Sequence, residues 1–240
     1  SIGIISQPNA HPMNSDELDG IDGPYVTAAL NGDVDNFADL KVSDELRIAA
    51  EITSDAKVIP TLVSRRLAAG DGTADAFRQT VRRFDGSVAI AANVAGAPER
   101  LQLALRGSGQ ALYVGLDEDL FVVASEPYGV VEDATSYLRL DGETPSDPTD
   151  PSASRGQVVE LDARAAGSVA GIRRFSYDGT ELPVHDGELI IPEVTTRDID
   201  RGAYQHFLLK EIEEAPGSFR KTLRGKSAKE GERLRVVRGT

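Results

Sequence analysis

The spacing of apolar residues turns from helical to strand-like at Gly86, and that change constrains the fold more than any other feature. Before it, SDAKVIPTLVSRRLAAG sets Val58, Ile59, Leu62, Val63 and Leu67 on one helical face and stops at Gly70. Pro60 limits where that helix begins, because a proline beyond the first turn removes a backbone bond and clashes with the preceding turn. Either the regular helix starts near Lys57 or it kinks. A second helix is expected after Thr73 as N-cap, with Phe77, Val81 and Phe84 at i, i+4 and i+7. After Gly86, strand-like runs follow one another: SVAIAANV, ALYVGL, LFVVAS, SYLRL and QVVEL, separated by turns that carry Gly, Asp and Pro. Upstream, PYVTAAL is a short β-rich run ending in Asn31-Gly32, a dipeptide that accepts positive φ and marks a sharp turn. A late helix is expected in AYQHFLLKEIEEAP, with Tyr204, Phe207, Leu208 and Ile212 as its apolar stripe and Pro216 as its end. The order strand, helices, strands, helix predicts an α+β layered fold rather than alternating βαβ units.

Charge and composition exclude several functions. The net charge is −13, which argues against nucleic acid as a partner, since phosphate affinity needs clustered positive charge. The charge is uneven: residues 217–240 hold eight Lys or Arg against Glu230 and Glu232, which reads as a linker or docking segment facing acidic protein surface. No apolar run reaches the ~20 residues that span a bilayer, and a soluble, cytoplasmic protein without a membrane partner is expected. The chain has no cysteine, so disulfides, thiolate metal sites and a thiol nucleophile are outside its own chemistry. No cofactor or metal is expected: the P-loop, GxGxxG and HExxH patterns are missing, and His185 and His206 lack partner spacing for a metal. TPSDPTDPSASRG, residues 144–156, reads as an exposed loop.

Three stretches carry a resemblance. NAHP at 9–12 is followed by LNGDVDN at 30–36, similar to an HNGxIxN motif; TSDAKVI at 53–59 is similar to TDTEVI; YQHFLLKEIEEAPGSFRKTLRGK at 204–226 is similar to YxHFMxKEIxEQP followed by TLxGR. Together they resemble the class II glutamine amidotransferase domain of the glucosamine-6-phosphate synthase family, a branch of the N-terminal-nucleophile hydrolases. The resemblance implies a four-layer αββα sandwich, incomplete at its N-terminal end. It further implies an amidotransferase domain over 1–200, and over 201–240 a linker helix and basic segment leading to an absent sugar isomerase domain. L-glutamine is the implied substrate, the sugar-phosphate isomerase domain of the same protein the implied partner, and a homodimer the implied state of the intact enzyme.

The same resemblance implies site residues. Releasing ammonia from a glutamine side chain passes through a tetrahedral oxyanion, and Asn31 and Gly32 fall on the positions that supply its donors. Asp55 falls on the contact to the substrate α-ammonium, and Ser1, aligned with a threonine, on a contact to the α-carboxylate. From the residues alone, Asn31-Gly32 is a tight turn, Asp55 a carboxylate at a helix start, and His11 a structural turn histidine. The family's nucleophilic cysteine lies upstream of the matched region, so Ser1 is expected to be an internal residue exposed by truncation, and the chain by itself inactive. Leu30 replaces the histidine of HNG and Ile2 another histidine. Those departures favour an alternative, a non-catalytic binding or regulatory module that keeps the fold. A third reading takes Ser1 as the nucleophile of an independent amidase.

Overall fold

A computed structural model of the chain describes residues 4–20, 23–107, 111–150, 152–192, 201–223, 227–230 and 233–236. The chain divides into two compact units, Ser1–Val194 and Thr195–Thr240. Among the described residues no helix is long and apolar enough to cross a membrane.

The first unit is organised by an antiparallel sheet of six strands in the order β1 (Met13–Asn14), β2 (Val26–Gly32), β3 (Val88–Val94), β4 (Arg100–Arg106), β8 (Gln157–Asp162) and β9 (Ile172–Phe175). A second antiparallel sheet places β5 (Ala111–Asp117) between β6 (Leu120–Ala124) and β7 (Ser136–Asp141). Successive strand side chains point to opposite faces, so each central strand serves two cores. Val88, Ile90, Ala92 and Val94 of β3 join Ala104 of β4 and Val158 of β8 against the helices α1 (Phe37–Ser43), α2 (Val58–Ala68) and α3 (Thr73–Val81). Ala89, Leu103, Leu105, Val159 and Leu161, from the opposite face, pack on Leu112, Val114, Leu116, Leu138 and Leu140 of the second sheet. Three layers are thus seen in succession, helices, sheet and sheet, the α+β architecture expected.

The helix that bears Pro60 needs no kink. A short 3-10 turn over Asp55–Lys57 leads into α2 at Val58, so the proline falls in the first turn, where its missing N–H costs nothing. Thr73 is not the N-cap of α3: it is the first helical residue, and Gly72, extended at φ −69° and ψ 157°, takes the cap position without a side-chain bond. Phe77, Val81 and Phe84 are all buried, as their spacing predicts. The sequence reading passed over α1 and, more seriously, β4, which lies between β3 and β8 in the large sheet.

The second unit contains a helix, α4 (Phe207–Leu223), and a hairpin of β10 (Ser227–Glu230) and β11 (Arg233–Val236). Pro216 does not end α4, which continues through it to Leu223. A proline there deletes one backbone bond, and the carbonyl released belongs to Ile212, which is exposed and open to solvent. Phe207, Leu208 and Ile212 of the expected stripe are exposed, and the side chains of the basic segment lie outside the described residues.

Candidate functional site

Three sequence stretches far apart along the chain meet at the end of β2. Asn9 makes the first connection. Its Oδ1 accepts from Thr53 N (2.7 Å) and Ser54 N (2.9 Å), while its Nδ2 donates to Ser6 Oγ (2.8 Å) and Glu51 O (2.9 Å). One buried amide therefore fixes the loop that delivers Asp55. His11 makes the second connection, accepting at Nδ1 from Leu30 N (3.2 Å). Asp55 makes the third: its Oδ2 accepts from Val34 N (2.8 Å), tying the start of the α2 segment to the chain leaving β2.

Asn31 and Gly32 do not form the hairpin-like turn that the dipeptide suggests. They are the last two residues of β2, paired with Ala89 and Val88 of β3. Gly32 is needed for a different reason. Its φ is +120°, and a Cβ built on it would lie 2.1 Å from the Ser87 carbonyl oxygen. Gly86 is the counterpart just before β3, where a Cβ would meet Asp33 O at 2.4 Å. The pair lets the exit of β2 close onto the entry of β3, with Asp33 N donating to Ser87 O (3.0 Å) and Asp35 N to Asp85 O (3.0 Å). In an antiparallel ladder, hydrogen-bonded and non-bonded pairs alternate. The Asp33–Ser87 bond therefore directs the Gly32 N–H away from β3, to the same edge as the Leu30 N–H that His11 takes. Asn31 is exposed, on the face opposite the helices, whereas Leu30 is buried among them.

The polar atoms around this edge are unusual. Asp55 is 1% exposed, yet its Oδ1 is buried with no hydrogen-bond partner, and the same holds for Ser54 Oγ and His11 Nε2. A buried polar atom left unpaired costs on the order of 1–3 kcal/mol, so three in one place mark either a ligand site or wasted stability. Burial, the larger cause, holds His11 below its ordinary imidazole range despite the Asp55 carboxylate nearby. A neutral ring whose Nδ1 accepts from Leu30 N carries its proton on Nε2, so the unpartnered atom is a donor. The arrangement offers a carboxylate oxygen, an imidazole N–H, a hydroxyl and the backbone N–H of Gly32 along one strand edge. It suits a small ligand with both cationic and acceptor groups, held by hydrogen bonds.

Ser1, aligned with the α-carboxylate contact, lies outside the described residues, as does Ile2. Asp55 is tied to the chain leaving β2 through Val34 N, two residues beyond Gly32, whereas the Asn31 side chain lies on the sheet face away from the helices. Sequence reasoning missed Asn9 as the hub and Ser54 as a buried hydroxyl; the NAHP and TSDAKVI stretches were the signal that pointed to both. Among the described residues no group of His, Asp and Glu is placed to hold a metal ion.

No protein-family model matches the chain. Individual proteins do. A glutamine–fructose-6-phosphate aminotransferase (isomerizing) of Bacillus licheniformis is 27% identical over 226 residues, 92% of this chain and 32% of that protein. Its counterpart in Pseudomonas putida is 27% identical over 231 residues, 95% of this chain and 32% of the relative, and that of Caulobacter vibrioides 28% identical over 222 residues, 92% and 31%. The chain thus spans about a third of the length of these relatives. Among solved structures, the glutamine phosphoribosylpyrophosphate amidotransferase of B. subtilis, complexed with ADP and GMP, superposes with a TM-score of 0.51 at 18% identity. The match covers 72% of this chain and 33% of that one. A second structure, described as the allosteric regulatory enzyme of purine biosynthesis, gives the same TM-score and identity. Over about nine-tenths of its length the chain is similar to the glutamine–fructose-6-phosphate aminotransferases, and it shares the fold of the solved glutamine phosphoribosylpyrophosphate amidotransferase.

Proposed function

We propose that these residues form the glutamine-binding, ammonia-releasing part of an aminotransferase that makes an amino sugar from fructose 6-phosphate. The observation that carries the reading is the buried, half-partnered Asp55 carboxylate beside the end of β2. One oxygen is held by Val34 N, and the free one is available to an α-ammonium group, a charge-assisted contact that selects free glutamine over a glutamine within a peptide. The side-chain amide of the substrate then lies along the β2 edge. As its carbonyl carbon is attacked, negative charge develops on oxygen, and the Gly32 N–H and the Asn31 side-chain amide are the donors we assign to it. Both sit on a strand paired along its length, so they hold their positions while charge develops.

The attacking group is a thiol in this reading, and the 240 residues contain none. We assign it to residues outside this chain, so the chain alone binds glutamine without hydrolysing it. Residues 1–200 are the glutaminase part, and 201–240 lead to the sugar-phosphate domain that uses the ammonia.

The test is calorimetric titration of the chain with L-glutamine and with N-acetyl-L-glutamine, for the natural sequence and for Asp55→Asn. Glutamine should bind, the acetylated compound should not, and Asp55→Asn should weaken glutamine by about tenfold or more, the ~1.4 kcal/mol of one charge-assisted bond. Equal binding of the two compounds, or an Asp55→Asn variant that binds as the natural chain does, refutes the reading.

A further inference from the structure

A cleft of about 440 Å3 lies among residues that the reading above leaves unused. It is lined by Arg82, Arg106, Arg155, Tyr177 and the Ser152–Ser154 stretch, whose Ser152 hydroxyl donates to Asp150 Oδ1 (2.7 Å). Three guanidiniums and no carboxylate line it, in a chain whose net charge is −13. They come from separate elements: Arg82 is the C-cap of α3, Arg106 ends β4, and Arg155 pairs with Pro145 across the neck of the 144–156 loop.

Each arginine is placed but unfilled. Arg106 donates from Nη1 to Phe84 O (2.9 Å), and its guanidinium stands 5.4 Å from the centre of the Tyr177 ring. Arg155 donates from Nη1 to Glu143 O (3.1 Å). A guanidinium has five N–H donors in a fixed fork, so a single carbonyl leaves most of them unused. Asp178, the carboxylate whose acidity Arg82 increases, is engaged first by Thr180 N (2.8 Å). Tyr177 is 2% exposed and its hydroxyl is buried without a partner. Burial pushes that phenol far above its ordinary range, so it stays protonated and remains a donor. An arginine does not relieve like-charge repulsion by losing a proton, so the grouping keeps three fixed positive charges, with the Asp178 carboxylate near Arg82, beside an unpaired buried hydroxyl.

We propose that this cleft binds a phosphate monoester, whose dianionic phosphoryl group is taken by Arg82, Arg106 and Arg155 and whose organic part fills the cleft beside Tyr177. Three forks match a group with two charges and three free oxygens better than a single carboxylate, and planar bidentate contacts to phosphate are what arginine does best. The volume lies within the ~300–1,000 Å3 of small-molecule sites and is larger than a bare phosphate needs. A nucleic-acid backbone, with one charge per phosphate, is disfavoured by the acidic remainder of the chain. The inference does not depend on the glutaminase reading, because the binding is measured without glutamine.

The experiment titrates the full chain with glucose 6-phosphate and with inorganic phosphate, at ionic strength held constant with chloride. It follows heat and the 31P resonance, for the natural chain, for Arg82→Gln/Arg155→Gln, and for Arg106→Lys. Glucose 6-phosphate should bind saturably below about 10 mM and more tightly than inorganic phosphate. The double variant, altered at two exposed side chains, should keep its melting temperature and weaken the monoester by about tenfold or more. Arg106→Lys keeps the charge and loses the fork, and should weaken it by a smaller factor. No saturable binding of glucose 6-phosphate, or binding that the double variant leaves unchanged, overturns the proposal. Inorganic phosphate binding as tightly as the monoester overturns it too, since the site then belongs to the free anion.

Discussion

The large sheet and the loops gathered at the end of its second strand belong to one unit but are held by different means. In the sheet, β3 alone sends Val88, Ile90, Ala92 and Val94 to one core and Ala89 to the other, and each is one of many similar contacts. Dispersion and burial are shared widely there, so any single loss is a fraction of the whole. At the strand end the reverse holds. One asparagine orders Glu51 to Ser54, one imidazole takes Leu30 N, one carboxylate takes Val34 N, and three buried atoms have no partner. The core holds the strand in place, and part of that stability offsets the cost of the unpaired polar atoms, the ones to which we assign glutamine.

The comparison is sharpened most strongly by a core truncation. Phe77 of α3 is fully buried in the helix-facing core. Phe77→Ala should lower unfolding free energy by about 3–5 kcal/mol, from lost burial plus the cavity left behind. Urea denaturation measures it. Glutamine affinity extrapolated to the folded fraction should be unchanged. A variant that loses affinity in parallel with stability would show that the two regions are not separable.

Asn9→Ala is the complementary change and should cost less, about 2–3 kcal/mol, because it strips bonds from Thr53 N and Ser54 N without opening the main core. Its signature is local. Amide exchange should accelerate across residues 51–55 while the amides of β3 and β4 remain protected up to the global limit. Protection lost equally across the sheet would mean that Asn9 supports the fold as a whole rather than the site.

These two regions also differ in how much of them the sequence disclosed. The change of spacing at Gly86, the α2 face and the Phe77–Val81–Phe84 stripe were legible because burial repeats with the period of the element. The strand β4 was not, although Leu101, Leu103 and Leu105 alternate within it. Its opposite face carries Gln102, which is buried by bonding Glu160 Oε2 (2.8 Å), so a polar residue sits where the pattern calls for an apolar one. Thr73 looked like a cap because of its residue type, but the chain enters α3 one residue earlier, at Gly72. At the site, Gly32 was identified, yet for a turn, when the need is a close approach to Ser87 that only the folded sheet creates. Asn9 was invisible as a hub: its partners in the Glu51–Ser54 loop lie more than 40 residues away, and a single long-range hydrogen-bonding side chain leaves no periodic trace.

The smallest effect expected is a pH dependence that belongs to the site and not to the core. His11 is the histidine whose folded-state proton affinity is lowered, chiefly by burial. A group that is harder to protonate when folded contributes stability in full above its unfolded pKa of about 6.5, and that contribution is lost as pH falls through and below that value. Protonation also puts a positive charge on a ring that accepts from Leu30 N at Nδ1, so the bond at 3.2 Å is given up in the same step. The melting temperature should therefore fall slightly from pH 7.5 to about 6, above the range where ordinary carboxylates titrate. His11→Gln should flatten the slope, since a side-chain amide oxygen accepts the same backbone bond without titrating. If the slope persists in His11→Gln, the sensitivity lies elsewhere and His11 is not a neutral acceptor at the β2 edge. If it vanishes and glutamine affinity in the natural chain falls over the same interval, one titrating ring links the site to the small part of the stability that the site controls.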